Sequence, residues 1–415
     1  MHAVREFASE LVSFESTDGE EAEVSAWFRD ELEDFGFETY EWGVDAELLA
    51  THSSFPDVPG EIDSEDRPSV GGVLAFGDPG AGPTVVLNGH LDVVPADESA
   101  WSVPPFEPHW DGDELMGRGA ADMKSGLAAC VFAALALAER ADRGADLDGR
   151  VVVEGVAGEE AGGVGAATAA LDNPYPFERD AAVVAEPTSL TPVVACEGSL
   201  MKRLHVQGRS SHAATPWRGE SALEYFDRIR EAFEVLATER EARVTHPLYG
   251  DYPTKWPVVC GTVEAGDWAS TVPASLTAEY RIGVAPGETV AEVEAEFDER
   301  LADVVADSEW LREHPPDFDR FSVQFEPSEV DPGEPVVRAV QSAMETHGLA
   351  DTAPRGVTYG ADARHYVAAG IPTVLFGPGS IEQAHFPDET VDAREVETAV
   401  DVLADAAAEL LGNDA

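Results

Sequence analysis

Val85-Val86-Leu87-Asn88-Gly89-His90-Leu91-Asp92 reads as a buried strand that runs straight into a histidine and an aspartate. A short, β-branched apolar run of this kind fits a strand covered on both faces, as in the parallel sheet of an α/β protein. In such a sheet the loops beyond the carboxyl ends of the strands converge, and ligands bind there. The same pattern recurs along the chain. Val151-Val152-Val153 leads through Glu154-Gly155-Val156-Ala157-Gly158 to Glu159-Glu160, and Ala182-Val183-Val184-Ala185 ends at Glu186. Pro372–Phe376 leads through Gly377-Pro378-Gly379 to Gln383-Ala384-His385. A fifth group, Asp122 in GRGAADMKSG (117–126), sits where a glycine-rich loop opens a helix expected from Met123.

Helical stretches at Lys124–Asp142 and Gly163–Leu171 separate the strands, which predicts a mainly parallel central sheet covered on both faces. Residues 1–50 read as one or two helices and a strand, and residues 51–70, rich in Pro and Asp, as a surface loop. Near residue 199 the order changes. Strands at Leu200–Val206, Cys260–Glu264, Leu276–Val284 and Phe321–Phe325, with helices at Ser221–Ala237 and Thr289–Val305, give the β-α-β-β-α-β order of a ferredoxin-like module. The expected organisation is a larger domain in two parts, 1–198 and 329–415, with a smaller domain, 199–328, inserted between them.

The 415 residues carry 26 Lys plus Arg against 81 Asp plus Glu, a net charge of −55. This excludes a nucleic-acid binder or an anionic-membrane binder that relies on a basic face. With 44% hydrophobic residues the chain is no disordered acidic tract. The acidic surface suits a cytosol of molar salt, where self-repulsion is screened. Three cysteines, Cys130, Cys196 and Cys260, are too few and too scattered for a disulfide framework or a thiolate metal site. The N-terminus lacks a signal-peptide core, and the apolar run Leu127–Ala138 is shorter than the roughly 18 residues a bilayer requires. The expected location is the cytoplasm.

Each acidic or histidine residue has a plain structural reading. Asp122 alone reads as a helix N-cap, Glu159-Glu160 as solvated surface, and His90 as a hydrogen-bonded loop residue. Their joint placement on one rim is what points to metal binding. Imidazole with carboxylate and no cysteine suits zinc, cobalt or manganese. Asp122, Glu160 and Glu186 carry −3, and a hydroxide would make −4, which two divalent cations balance. One cation would leave a strongly negative pocket with raised carboxylate pKa values.

GHLDVVP (89–95), GRGAADMKSG (117–126), GEEAGGVGA (158–166), VVAEPT (183–188) and AHFPDE (384–389) resemble, in order, the five site motifs of one family of co-catalytic zinc amidohydrolases and peptidases. That family includes acetylornithine deacetylase, succinyl-diaminopimelate desuccinylase, aminoacylase and glutamate carboxypeptidase. The resemblance covers about residues 1–410 and implies that the larger domain is catalytic and the smaller, 199–328, a lid that mediates dimerisation. It implies two divalent metal ions, zinc foremost, with cobalt or manganese as alternatives. Asp122 would bridge them, His90 and Glu186 would complete one site, and Glu160 and His385 the other. Asp92 would hold the His90 imidazole, and Glu159 would be the general base and then the acid. GRSSHAATP (208–216) resembles the lid motif whose histidine, here His212, reaches the partner subunit's site and stabilises an oxyanion. Arg281 resembles the arginine that grips the substrate α-carboxylate, and a strand-face ion pair is the equal alternative. Backbone amides at Gly377 and Gly379 could help hold the same carboxylate.

Two positions depart from the pattern. Ser270 stands where the family often has Asn, and Asp388 where the last motif commonly has Asn. The implied activity is hydrolysis of an N-acyl amino acid by a homodimer, with a dipeptidase or carboxypeptidase as the alternative. A non-catalytic homologue would lack a ligand or Glu159, and all are present. A nucleotide-binding reading fails because AGGVGA (161–166) has neither the P-loop lysine nor the G-x-G-x-x-G spacing.

Overall fold

Nine strands form one mixed sheet in a computed structural model that describes residues 2–17 and 19–412. Thr84–His90 lies at its centre, paired in parallel with Gly149–Val156 on one side and Ala181–Val184 on the other, and Thr373–Leu375 continues the parallel set. All seven residues of Thr84–His90 are buried, as expected of a strand sandwiched between helix layers. One face is covered by His2–Ser13, Ser125–Asp142, Pro335–Thr346 and Ala393–Leu411, which share the largest apolar core. The other carries Val164–Leu171 and Ala363–Ala368. The helix holding Leu127–Ala138, counted from Ala120, is long and apolar enough to cross a bilayer, but it is largely buried inside the protein.

A strand absent from the sequence reading, Ser69–Phe76, pairs antiparallel with Gly149–Val156 and with Glu38–Trp42. Its Gly71-Gly72 pair hides it, because glycine disfavours strands. The structure gives the reason for both glycines. A side chain at Gly71 would overlap Tyr175, and one at Gly72 would press on Leu32 and Phe37. Close approach of neighbouring layers, and not a turn, explains them.

Gly198–Gln207, Ala222–Arg243, Val258–Ala265, Ser275–Val284, Val290–Ala306 and Asp317–Arg320 follow one another in ferredoxin-like order. Their antiparallel sheet runs Val258–Ala265, Ser275–Val284, Gly198–Gln207, Asp317–Arg320. Burial alternates strictly along Gly198–Gln207, so one sheet face packs on the two helices around a separate core that includes Leu204, Phe233, Ile282 and Phe297. The last strand corrects the expected Phe321–Phe325. Asp317–Arg320 is polar except for Phe318, the one side chain of the four that is buried, so it carries almost no apolar signal.

A three-stranded sheet of His109–Asp111, Glu114–Met116 and Thr390–Asp392 ties the C-terminal segment to the loop before Asp122. Pairing of Thr390 with Met116 delivers Glu389 to that loop.

Candidate metal centre

His90 is the last residue of its strand, and Glu159 and Glu186 follow the two flanking parallel strands by three and two residues. Adjacent parallel strands therefore deliver all three to the same rim. Asp122 joins them out of a wide turn, Ala120–Lys124, in which Asp122 and Met123 leave helical geometry. The helix proper begins at Ser125, two residues later than expected, and Asp122 caps nothing. Its side chain faces His90 instead. Asp122 Oδ1 lies 3.2 Å from His90 Nε2.

Two sets of candidate ligand atoms result. His90, Asp122 and Glu186 converge within 4.8 Å of one another, and so do Asp122, Glu160 and His385. Asp122 belongs to both. His385 Nε2 is 3.2 Å from the Glu160 carboxylate and 3.7 Å from Asp122 Oδ2. His90 Nδ1 sits 2.8 Å from the Asp92 carbonyl oxygen. With its proton on Nδ1, Nε2 turns a lone pair toward Asp122 and Glu186, the tautomer a metal ligand needs.

The electrostatics of the metal-free protein show what the cluster lacks. Burial, then the charges of Asp362 and Glu186, hold the Glu159 carboxyl well above its usual range. Burial and the Asp122 charge do the same to Glu186 and raise Glu160. Burial would lower His90, but the Asp122 hydrogen bond and the surrounding carboxylates outweigh it and hold it high. Hydrogen bonding to Glu160 raises His385. These five groups are pushed toward binding protons, while Asp122, despite its burial, is pushed the other way by its hydrogen bond to His90 and keeps its charge. The donor set of carboxylates and imidazoles fits divalent cations, which would supply positive charge.

Two buried carboxylates hold the ligand loops. Asp92 meets the His90 imidazole with its backbone carbonyl, 2.8 Å from Nδ1, and more loosely with its carboxylate, whose Oδ1 lies 3.8 Å from the same nitrogen. The side chain accepts the amides of Gly158 at 2.8 Å, Glu159 at 3.1 Å and Glu160 at 2.9 Å. Glu389 accepts the amides of Gly119, Ala121 and Asp122 at 3.1, 2.8 and 3.0 Å, and the Arg118 guanidinium at 2.7 Å. Its role escaped sequence reading, although its place in AHFPDE was the available signal. Glu389→Gln turns an NH2 group toward a donor it formerly satisfied. The expected result is a fold that persists with cation affinity about 10–100-fold weaker, measured by zinc competition against a calibrated chelator.

Asp122, Glu159, Glu160, Glu186 and His385 line one open pocket with Ser199, Arg281, Phe325, Tyr359, Gly360 and Ile381. Arg281 forms the ion pair that was its alternative reading and also lines the pocket. Nη1 donates to Glu197 at 2.8 Å and Nη2 to the Thr358 carbonyl at 3.2 Å, and the residue still faces the pocket. Burial pushes the Glu197 carboxyl up to about 7 against the pull of Arg281. Gly377 and Gly379 are not brought to the pocket wall. Their amides donate to Thr188 Oγ1 at 3.1 Å and Glu395 Oε2 at 2.9 Å, so neither is open to a ligand. His212 is exposed beside Thr271 and lines no part of this pocket.

Residues 86–409 match the model of the Peptidase family M20/M25/M40. An acetylornithine deacetylase of Erwinia tasmaniensis is 30% identical over 339 residues, 80% of this chain and 81% of that protein. An N-formyl-4-amino-5-aminomethyl-2-methylpyrimidine deformylase of Halalkalibacterium halodurans is 28% identical over 341 residues, 75% of this chain and 76% of that one. In fold, the chain is similar to an M20 family metallo-carboxypeptidase from Sulfolobus solfataricus, with a TM-score of 0.74, 16% identity and 99% of each chain covered.

Proposed function

The chain belongs to the Peptidase family M20/M25/M40, and on that premise we propose that it hydrolyses the amide bond of small N-acyl amino acids with two divalent cations, zinc foremost. The observation that carries this reading is Asp122 standing in both three-residue clusters. His90 and Glu186 would hold one cation, Glu160 and His385 the other, with Asp122 between them. Cations bound there would polarise the amide carbonyl and lower the pKa of water. Glu159 takes the proton of the attacking water and returns it to the leaving amine. Asp92 keeps that carboxylate in place by holding its backbone amide.

Arg281 is the pocket's candidate partner for the substrate carboxylate, oriented from behind by Glu197. Arg281→Ala is expected to raise KM at least about tenfold while changing kcat less, the pattern of lost ground-state binding. Initial rates over a range of substrate concentrations separate the two.

His212, outside the pocket of its own chain, fits a homodimer in which each lid serves the partner's site. The edge strand Val258–Ala265, with Val259 and Val263 exposed, offers a surface for such pairing. Sedimentation of the protein in molar KCl tests the dimer, which we place in the cytoplasm. The names of the two curated relatives, a deacetylase and a deformylase, favour the acyl-amino-acid reading over the dipeptidase or carboxypeptidase alternative. Acetylornithine, succinyl-diaminopimelate and a set of dipeptides, assayed in parallel with zinc, cobalt or manganese at molar KCl, decide between them. Chelator-resistant activity, or hydrolysis of none of these, would count against the proposal.

A further inference from the structure

The short strand Arg355–Val357 lies beside Val193–Cys196, and both chains leave their strands toward the pocket, one through Glu197 and Ser199, the other through Thr358, Tyr359 and Gly360. Tyr359 is firmly mounted there. The carbonyl before it, on Thr358, accepts from Arg281. The residue after it, Gly360, lies so close to the Phe325 ring that any side chain would overlap it. Two residues back, the Val357 carbonyl accepts from the Glu197 amide and from the Tyr249 hydroxyl, both at 2.9 Å. The Tyr359 ring packs against the main core.

Its hydroxyl is different. Among the described residues it has no hydrogen-bond partner, although the residue lines the pocket. An ordinary phenol, with a pKa of about 10, keeps its proton at neutral pH and so can serve as a donor. It shares its pocket with Asp122, Glu160, Glu186 and His385 of the candidate cation cluster. Within one chain, the other candidate donors are placed differently. Arg281 gives one nitrogen to Glu197 and the other to Thr358, and His212 and Ser270 do not line the pocket. The Ser199 hydroxyl comes from the strand position opposite Gly283, on the lid side.

Resting on the amidohydrolase reading above, we propose that the Tyr359 hydroxyl donates a hydrogen bond to the scissile carbonyl oxygen and stabilises the negative charge that develops on it. The phenol keeps its proton throughout, and the donor comes from the same chain as Glu159. A donor aimed at an oxyanion is worth more in the transition state than in the ground state, so its loss falls on kcat.

Tyr359→Phe keeps the ring and removes one oxygen. In the zinc-loaded protein the expected result is a kcat about 100-fold lower with KM within about threefold of wild type. Metal content should be unchanged. A phosphinate analogue of the tetrahedral state, titrated by calorimetry, should bind about 100-fold more weakly, while the amino-acid product binds as before. A kcat within about threefold of wild type, or a loss confined to KM, overturns the role of Tyr359 and leaves the amidohydrolase reading standing. Absence of amide hydrolysis by the wild type overturns both.

Discussion

Glu159→Gln is expected to bind cations as the wild type does and to turn over about a thousandfold more slowly, within the range general acid–base catalysis supplies. Glu159 lies in the pocket but in neither of the two ligand clusters. Its amide is held by Asp92 whatever its side chain is, so the loop that carries Glu160 should keep its course. Glutamine fills the same space and cannot accept a proton from water. Neutralising one member of a crowded anionic pocket also removes repulsion from Glu186, whose charge acts on Glu159, so the variant should be no less stable. Metal content measured beside single-turnover kinetics checks the expectation. Substantial hydrolysis by a fully metallated variant would remove Glu159 from its assigned role.

Asp122→Asn should do more damage, because one side chain enters both clusters. Loss of its charge and of one acceptor weakens each site at once. A penalty of about 4 kcal/mol, several kcal/mol being typical of such electrostatic stabilisation, is on the order of a thousandfold in rate, with cation loss added to it. The same variant tests the electrostatics. In the metal-free wild type, Glu159, Glu160 and Glu186 have raised pKa values, as do His90 and His385. The native state then binds more protons than the unfolded chain, from about pH 4.5 upward for the carboxyls and above about 6.5 for the histidines. Stability contributed by these groups is present at low pH and declines as pH rises. Chelated protein should therefore lose thermal stability between pH 5 and 8 more steeply than metal-loaded protein. Asp122→Asn should flatten the chelated profile, because Asp122 helps raise Glu160, Glu186 and both histidines. Melting curves at several pH values, with zinc and with chelator, would reveal it. Equal slopes for the two chelated proteins would contradict that role of Asp122.

Much of this was legible in the chain. The apolar runs before His90, Glu159 and Glu186 mark strands buried on both faces, and a parallel sheet brings their ends together. Other features left no readable trace. Ser69–Phe76 is masked by glycines whose purpose depends on Tyr175, Leu32 and Phe37 elsewhere in the chain. Asp317–Arg320 buries one side chain and so shows no pattern. The spacing from His90 to Asp92 signals contact with the imidazole but not its form, in which the carbonyl lies nearest to Nδ1 and the carboxylate serves mainly three amides. Amide acceptors such as Asp92 and Glu389 impose no residue type on their partners, which hides them from any one-dimensional reading. Gly126 belongs to the same class. A side chain there would collide with the Ala185 carbonyl, so its absence lets the helix after Asp122 press against the strand that delivers Glu186.

The hold of Glu389 on the Asp122 turn has a consequence for biosynthesis. A nascent chain that has exposed Glu186 already owns His90, Asp122 and Glu160, yet the turn that aims Asp122 lacks the carboxylate that accepts the Ala121 and Asp122 amides until residue 389 arrives. His385 emerges only four residues earlier. Completion of the proposed cation site thereby waits until the segment that carries His385 and Glu389 has been made and Thr390–Asp392 has paired with Glu114–Met116.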